Sequence, residues 1–334
     1  MKRLATFLTA ACCLTLAAPA LANDSTASMR AGGLVLERTD GIAMLSEDLY
    51  VSAREIRVKY EFRNLTAEWI ETIVAFPMPD ITGGQDGEFG GMSSDPARLI
   101  PFITWVDDYA VRTEVEQKAV LNDADVGALL QQYGIPLEPQ TEATAAALLA
   151  SSGAARAALV AAGLVELNWY PGADGVLMPE LTPLWTLKTT HYWTQHFPPG
   201  EIVEVEHLYA PAIGGSAGSM VGDPEFQNAE FDARNIETYC TDDAFIAAAA
   251  RKRADGQYLS ETWIDYVLIT GANWAQPIGE FRLVVDKGDP DKLVSFCGEG
   301  VTQISPTQFE VRRQNFTPTR DLSVLILTGA RLSD

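Results

Sequence analysis

At 334 residues the chain is long enough for one large domain or two ordinary ones, and a hydrophobic share of 47% supplies a folded core and excludes bulk disorder. A formal charge of -21 repels phosphate backbones and anionic lipid, which argues against nucleic acid and acidic bilayers as partners. The plain use of so many Asp and Glu is a solvated, solubilising surface.

Residues 1–22 read as a secretory leader. Met1-Lys2-Arg3 is a basic start, Leu4 to Leu21 is apolar, and Ala20-Leu21-Ala22 is a small-x-small site that predicts cleavage after Ala22 and a mature chain starting at Asn23. A membrane anchor is the competing reading, disfavoured because Pro19 and the cleavage site follow the apolar run so closely. Loss of Lys2 and Arg3 takes the charge from -21 to -23. No later segment reaches about 18 consecutive apolar residues, so no membrane span is expected in the mature chain. Cys12 and Cys13 leave with the leader, and Cys240 and Cys297 remain. In an oxidising compartment the pair is most simply a disulfide, worth ~4 kcal/mol on the chain-entropy model; two buried free thiols are the alternative.

Along the mature chain, Leu34 to Leu36 and Ile42 to Leu45 predict a hairpin about Thr39-Asp40-Gly41. Ile56, Val58, Tyr60 and Phe62 alternate with charged residues, the pattern of a half-buried antiparallel strand, and Trp69 to Phe76 is expected to return as its partner. Residues 82–91 make a Gly-rich loop. From 115 to 164 the period becomes helical, with three short helices expected over Asp123 to Tyr133, Thr141 to Ser151 and Ala154 to Ala162. Strand signals resume at Trp185, turn at Pro198-Pro199-Gly200, and return through Val203, Val205, His207 and Tyr209. As a hairpin this register sets Trp193 opposite His207 and His191 opposite Tyr209.

Thr241-Asp242-Asp243 caps a helix through Ala250, with Arg251-Lys252-Arg253 at its C-terminal end. Trp263 to Thr270 is apolar on both faces and reads as a central strand; Phe281, Leu283 and Val285 mark a half-exposed one. Leu293 to Cys297, Gln308 to Arg312 and Leu322 to Leu327 supply further strands. The fold expected is mainly β, an antiparallel β-sandwich-like core with an α-helical insertion at 115–164, the regions 23–114 and 165–334 packing as a single domain.

For chemistry, His191 and His207 are the sharpest constellation. Two imidazoles on adjacent strands could share a metal, but no inward carboxylate of the hairpin supplies a third ligand, and two hydrogen-bonded core histidines are the competing reading. No nucleophile elbow, His-Glu-x-x-His, Walker loop or dinucleotide fingerprint appears, so no cofactor is expected. Asn273 and Trp274, in the connection Gly271 to Pro277, are the candidate recognition surface, against the alternative of a Trp folded back over the sheet edge.

The blocks NDSTASMRAGGLVLERTDGIAMLSEDLYVSA, FPMPDI, FPPGEIVEVEHLYAPAIGG, YCTDDAF, WIDYVLITGANWAQPIGEFRLVVDKG, VSFCGEG and FEVRRQNFTPTRDLSVLIL resemble bacterial exported proteins of the domain-of-unknown-function family numbered 4424, over nearly the whole mature chain. The resemblance implies an envelope location, a β-rich domain and a helical middle segment, and it carries over no catalytic or binding residue. The function expected is a periplasmic binding or assembly module contacting an envelope protein partner through loops at one end of the sandwich. The rivals are a metal-dependent or hydrolytic envelope enzyme using His191 and His207, and a soluble carrier of a small apolar ligand. Oligomeric state is left open by the sequence.

Overall fold

A computed structural model describes residues 23–30, 33–84, 101–172, 175–226 and 228–331. The expected leader over residues 1–22, with Cys12 and Cys13, and most of the loop expected over 82–91 lie outside the described residues.

In chain order the first strands are β1 (Ser25–Arg30), β2 (Gly33–Glu37), β3 (Ile42–Ser52), β4 (Ile56–Asn64), β5 (Ile70–Pro77) and the short β6 (Ile81–Thr82). Next come β7 (Ile103–Val106), β8 (Tyr109–Val111), β9 (Glu114–Leu121) and β10 (Ala124–Asp125), then helices α1 (Gly127–Gln132), α2 (Glu142–Ala150) and α3 (Gly153–Ala161). They are followed by β11 (Val165–Pro171), β12 (Leu177–Pro183), β13 (Thr186–Phe197), β14 (Ile202–Tyr209) and β15 (Ile213–Ser216). After α4 (Ala229–Tyr239) and α5 (Asp243–Ala254) the chain ends with β16 (Tyr258–Tyr266), a 3-10 turn over Ile269–Asn273, β17 (Ile278–Asp286), β18 (Leu293–Phe296), β19 (Thr302–Gln303), β20 (Gln308–Phe316) and β21 (Leu322–Ala330).

The mainly β, sandwich-like fold is present. The first sheet runs β10-β9-β13-β5-β1-β2, with β6 beside β13; the second runs β19-β20-β17-β3-β4-β14-β7-β8; the third runs β15-β16-β21-β18. Among the described residues the strand pairs are antiparallel except β17 beside β3, which is parallel. The second sheet turns one apolar face inward, and both other sheets pack on it. His207 of β14 meets Phe76 and Trp193 of the first sheet, while Tyr60 of β4 is hydrogen-bonded to Tyr266 of the third. One apolar cluster therefore joins all three sheets.

Three expected hairpins are not hairpins. β2 pairs with β1 and β3 with β4; β4 pairs with β3 and β14 whereas β5 pairs with β1 and β13; β13 pairs with β5 and β9 whereas β14 pairs with β4 and β7. Each connection arches from one sheet to the facing one. Alternation fixes which side chains enter the core, and an arch across the sandwich buries the same set as a hairpin within a sheet. Buried Asn64 holds two of these arches together. Its Nδ2 donates to the carbonyls of Glu68 and Phe197, its Oδ1 accepts from the Thr66 amide, and its carbonyl accepts from Gly200, whose φ of +70° suits a glycine.

The helical insertion starts later than residue 115, because 114–121 is β9, a ladder partner of β13. Its Glu, Gln and Lys are tolerated because the strand lies near a sheet edge and only Ala119 is buried. Beyond it α1, α2 and α3 form, the last two capped by the Thr141 and Ser152 side chains, and they bury Leu130, Leu148 and Leu159 with Trp185 in a small separate core. Asp242 caps α5 by accepting from the Phe245 amide at 2.7 Å. The third sheet is covered on both faces, by the second sheet and by α4 and α5, which explains the two apolar faces of β16. That strand stops at Tyr266, before the expected Thr270, because the chain turns there towards β17 in another sheet.

Candidate functional site

His207 projects from β14 into the three-sheet junction and is fully buried. Its Nδ1 lies 3.0 Å from Thr104 Oγ1 and its Nε2 lies 3.2 Å from Asp24 Oδ1, so both ring nitrogens are occupied within the protein. Desolvation raises the Asp24 carboxyl above the usual range, and His207 opposes that shift. Beside this pair Asn23 donates to Glu47 at 3.0 Å and accepts from the Tyr60 hydroxyl, which lies 2.9 Å from that of Tyr266. Burial pushes the Glu47 carboxyl up to about 8, with Asp24 adding to the rise. Among the described residues Asp24 Oδ2 and Glu47 Oε1 have no hydrogen-bond partner.

His191 and His207 are not ladder neighbours. They approach across the sandwich from two different sheets, so the expected register of Trp193 opposite His207 is replaced by an edge-on ring contact at 5.4 Å between facing layers. Both imidazoles stack on Phe102, at 3.9 and 5.1 Å between centroids. No group of three or more metal-ligating side chains occurs among the described residues. His207 is buried and hydrogen-bonded through both nitrogens, and His191 is half-buried against Phe102. His196 stands on the outer face beside Glu71.

Trp274 is not exposed. Its side chain is 1% accessible, it packs on Phe62 at 4.5 Å, and its Nε1 donates to the carbonyl of Asp24 at 2.8 Å. Asn273 donates to Ser25 Oγ at 3.0 Å. The expected recognition surface at these two residues is therefore a clamp on the start of β1, because an indole with one donor in an apolar junction is satisfied by a single carbonyl. Cys240 and Cys297 form the expected disulfide, across 57 residues.

A group of exposed apolar side chains lies elsewhere, on the two-stranded ribbon of β11 and β12. Its register sets Val165 opposite Pro183, Leu167 opposite Leu181, Trp169 opposite Pro179 and Pro171 opposite Leu177, so one whole face is apolar. At the root Val165 and Leu181 are buried in the small core with Trp185. Towards the tip burial ends: Trp169 is 56% exposed and Leu177 59%. On the second face Tyr170 and Met178 pair and, with Leu149 of α2, line an open apolar trough of about 690 Å³. Pro171, Pro179 and Pro183 deprive the ribbon of backbone donors, so it is a poor template for strand addition and recognition falls to side chains. Alternation on both sides of Pro171 to Gly175 was the available sequence signal; the prolines masked it, since proline demotes a strand.

A second concavity, of about 480 Å³, lies beside the disulfide, floored by Leu268, Phe281, Leu283 and Phe316. The arginines at its rim are engaged, Arg313 with Glu299 and Arg320 with the carbonyls of Glu237 and Thr238.

The model of the family described as "Domain of unknown function (DUF4424)" matches residues 22–325. No curated protein matches the chain. Among solved structures the chain is similar to a candidate nutrient-binding protein from Legionella pneumophila, at 14% identity and a TM-score of 0.43, over 92% of this chain and 70% of that one. It is also similar to an M1 zinc metallopeptidase from Deinococcus radiodurans, at 10% identity and a TM-score of 0.20, over 86% of this chain and 43% of that one. At these TM-scores neither likeness bears on what this chain does.

Proposed function

The chain belongs to the domain-of-unknown-function family DUF4424, and from that premise we propose that it is an exported, non-catalytic binding module of the bacterial periplasm that engages an envelope protein through the β11–β12 ribbon. The observation that carries this reading is the apolar face of the ribbon, rooted in a core at one end and uncovered at the other. Exposure of Trp169, Tyr170, Leu177 and Met178 together leaves apolar surface in water that a partner would cover. Glu166 and Glu180 are the charges on the two strands, with no Lys or Arg among them. The complementary partner surface is an apolar groove with a basic rim. The basic start, apolar run and Ala-x-Ala site of residues 1–22 support export, as does a disulfide that needs an oxidising compartment.

The enzyme reading has less to rest on, since both His207 nitrogens have protein partners and the two histidines meet across Phe102. The carrier reading is favoured by one observation, the apolar cleft beside Cys240 and Cys297. It takes second place because the arginines at the rim of that cleft already have partners.

A photoreactive residue placed at Leu177 tests the proposal in intact cells. The expected result is one discrete adduct with an envelope protein, lost when Trp169→Asp is added while the thermal midpoint stays unchanged. Recovery of monomer alone, or an adduct indifferent to Trp169→Asp, would overturn the reading.

A further inference from the structure

The first residues after the leader are the most deeply buried polar segment of the fold. Asn23, Asp24 and Ser25 are all at 0% accessibility. They are gripped from several directions: Asn23 by Tyr60 and Glu47 of the second sheet, Asp24 by His207 and by the Trp274 indole, Ser25 by Asn273. The packing leaves little slack, since a Cβ on Gly271 would come within 3.0 Å of Asn23 Nδ2. Two carboxyl groups, Asp24 and Glu47, meet here; among the described residues each keeps one oxygen without a hydrogen-bond partner, and the Tyr266 hydroxyl offsets only part of the rise in Glu47. A buried carboxylate with an unfilled acceptor is costly, and a cation that donates to it removes that cost. His207, the basic side chain at hand, already spends its two nitrogens on Thr104 and Asp24.

We propose that the missing cation is the chain's own new terminus: after cleavage at Ala22 the α-ammonium of Asn23 occupies the junction of the three sheets as counterion of Glu47, so that removal of the leader completes the core. The proposal rests on the export reading above. Hydrolysis of the Ala22–Asn23 bond leaves the carboxylate on Ala22 and an amine on Asn23, which takes up a proton at neutral pH. The α-nitrogen is four covalent bonds from Asn23 Nδ2, hence no more than about 5 Å away. Nδ2 itself donates to Glu47 at 3.0 Å. In the precursor the same nitrogen is an amide with one hydrogen and no charge, and burial, with the neighbouring Asp24, holds Glu47 up to about 8. The ammonium brings three donors and a full charge to two open acceptors, which returns Glu47 to its ionised form. The leader pattern puts cleavage before Asn23, and the fold separately makes the same residue the plug of its core.

The test uses mature protein recovered from the envelope fraction. Intact mass and N-terminal sequencing identify the first residue. A start other than Asn23 overturns the proposal, and the export reading falls with it only if the leader is still attached. With Asn23 first, an amine-selective reagent at neutral pH should modify the α-amine more than roughly tenfold more slowly in the folded protein than in urea. In Glu47→Gln that protection should shrink. One Gly inserted between Ala22 and Asn23 leaves every side chain in place and should lower the thermal midpoint by at least ~2–4 °C, which keeps the test decisive if Glu47→Gln does not fold. Equal labelling of folded and unfolded protein, or an unshifted midpoint in the Gly insertion, overturns the proposal while leaving export intact.

Discussion

Phe102 lies flat against His191, with ring centroids 3.9 Å and planes 15° apart, and the same phenyl ring stacks on His207 at 5.1 Å. What the two imidazoles share is therefore an aromatic ring. Removing His207 strips Asp24 of its buried partner and leaves Thr104 unpaired, which should cost about 3–5 kcal/mol. The expected outcome for His207→Ala is a large loss in denaturant stability with metal content unchanged from a background level in wild type. Zinc in molar proportion to wild-type protein, lost in the variant, would reverse the assignment of His207 to the core.

Which residues enter the core was legible in the sequence, and where each strand goes was not. The alternation of Ile56, Val58, Tyr60 and Phe62 is reproduced residue by residue in the burial of β4. The same is true of Val203, Val205, His207 and Tyr209 in β14. Pairing partners depend on whether five residues after β4 fold back or arch over, and a buried Asn64 at the strand end decided that through bonds to distant carbonyls. Trp274 was misplaced for a related reason: the acceptor of its indole, the Asp24 carbonyl, lies 250 positions away. Helix α4 before Cys240 has no fully buried residue, and its apolar stripe of Phe231 and Tyr239 is too sparse to stand out among its charges. By contrast the disulfide needed only a count of cysteines and a compartment.

Cys240 ends α4 in a left-handed conformation, φ +53°, and its bond to Cys297 ties that helix to the strand β18. Closing a loop of 57 residues should contribute about 4 kcal/mol by limiting the unfolded chain. Thiol titration of the unfolded, unreduced mature protein is expected to find none free. The double variant Cys240→Ala and Cys297→Ala should unfold at a midpoint lower by on the order of 10 °C. Two titratable thiols in carefully oxidised protein would remove the crosslink from the account of stability.

His191 gives the fold a dependence on acid that can be isolated. Burial, with a smaller contribution from nearby His207, lowers its pKa to about 4, while the unfolded chain keeps a value near ~6.5. Between those two values the unfolded state binds a proton that the folded state refuses. The contribution of His191 is thus fully present above pH ~6.5 and is lost as pH falls through 4, by up to about 3 kcal/mol. Other buried carboxyls titrate over the same range and add their own dependence on pH. Comparing wild type with His191→Phe cancels that term, since phenylalanine keeps the stack on Phe102 without a titrating nitrogen. Urea unfolding at pH 7, 5.5 and 4 should show wild type losing stability relative to His191→Phe at each step. Parallel curves for the two proteins would mean that His191 titrates normally in the fold, and that its ring is wetter than its place against Phe102 implies.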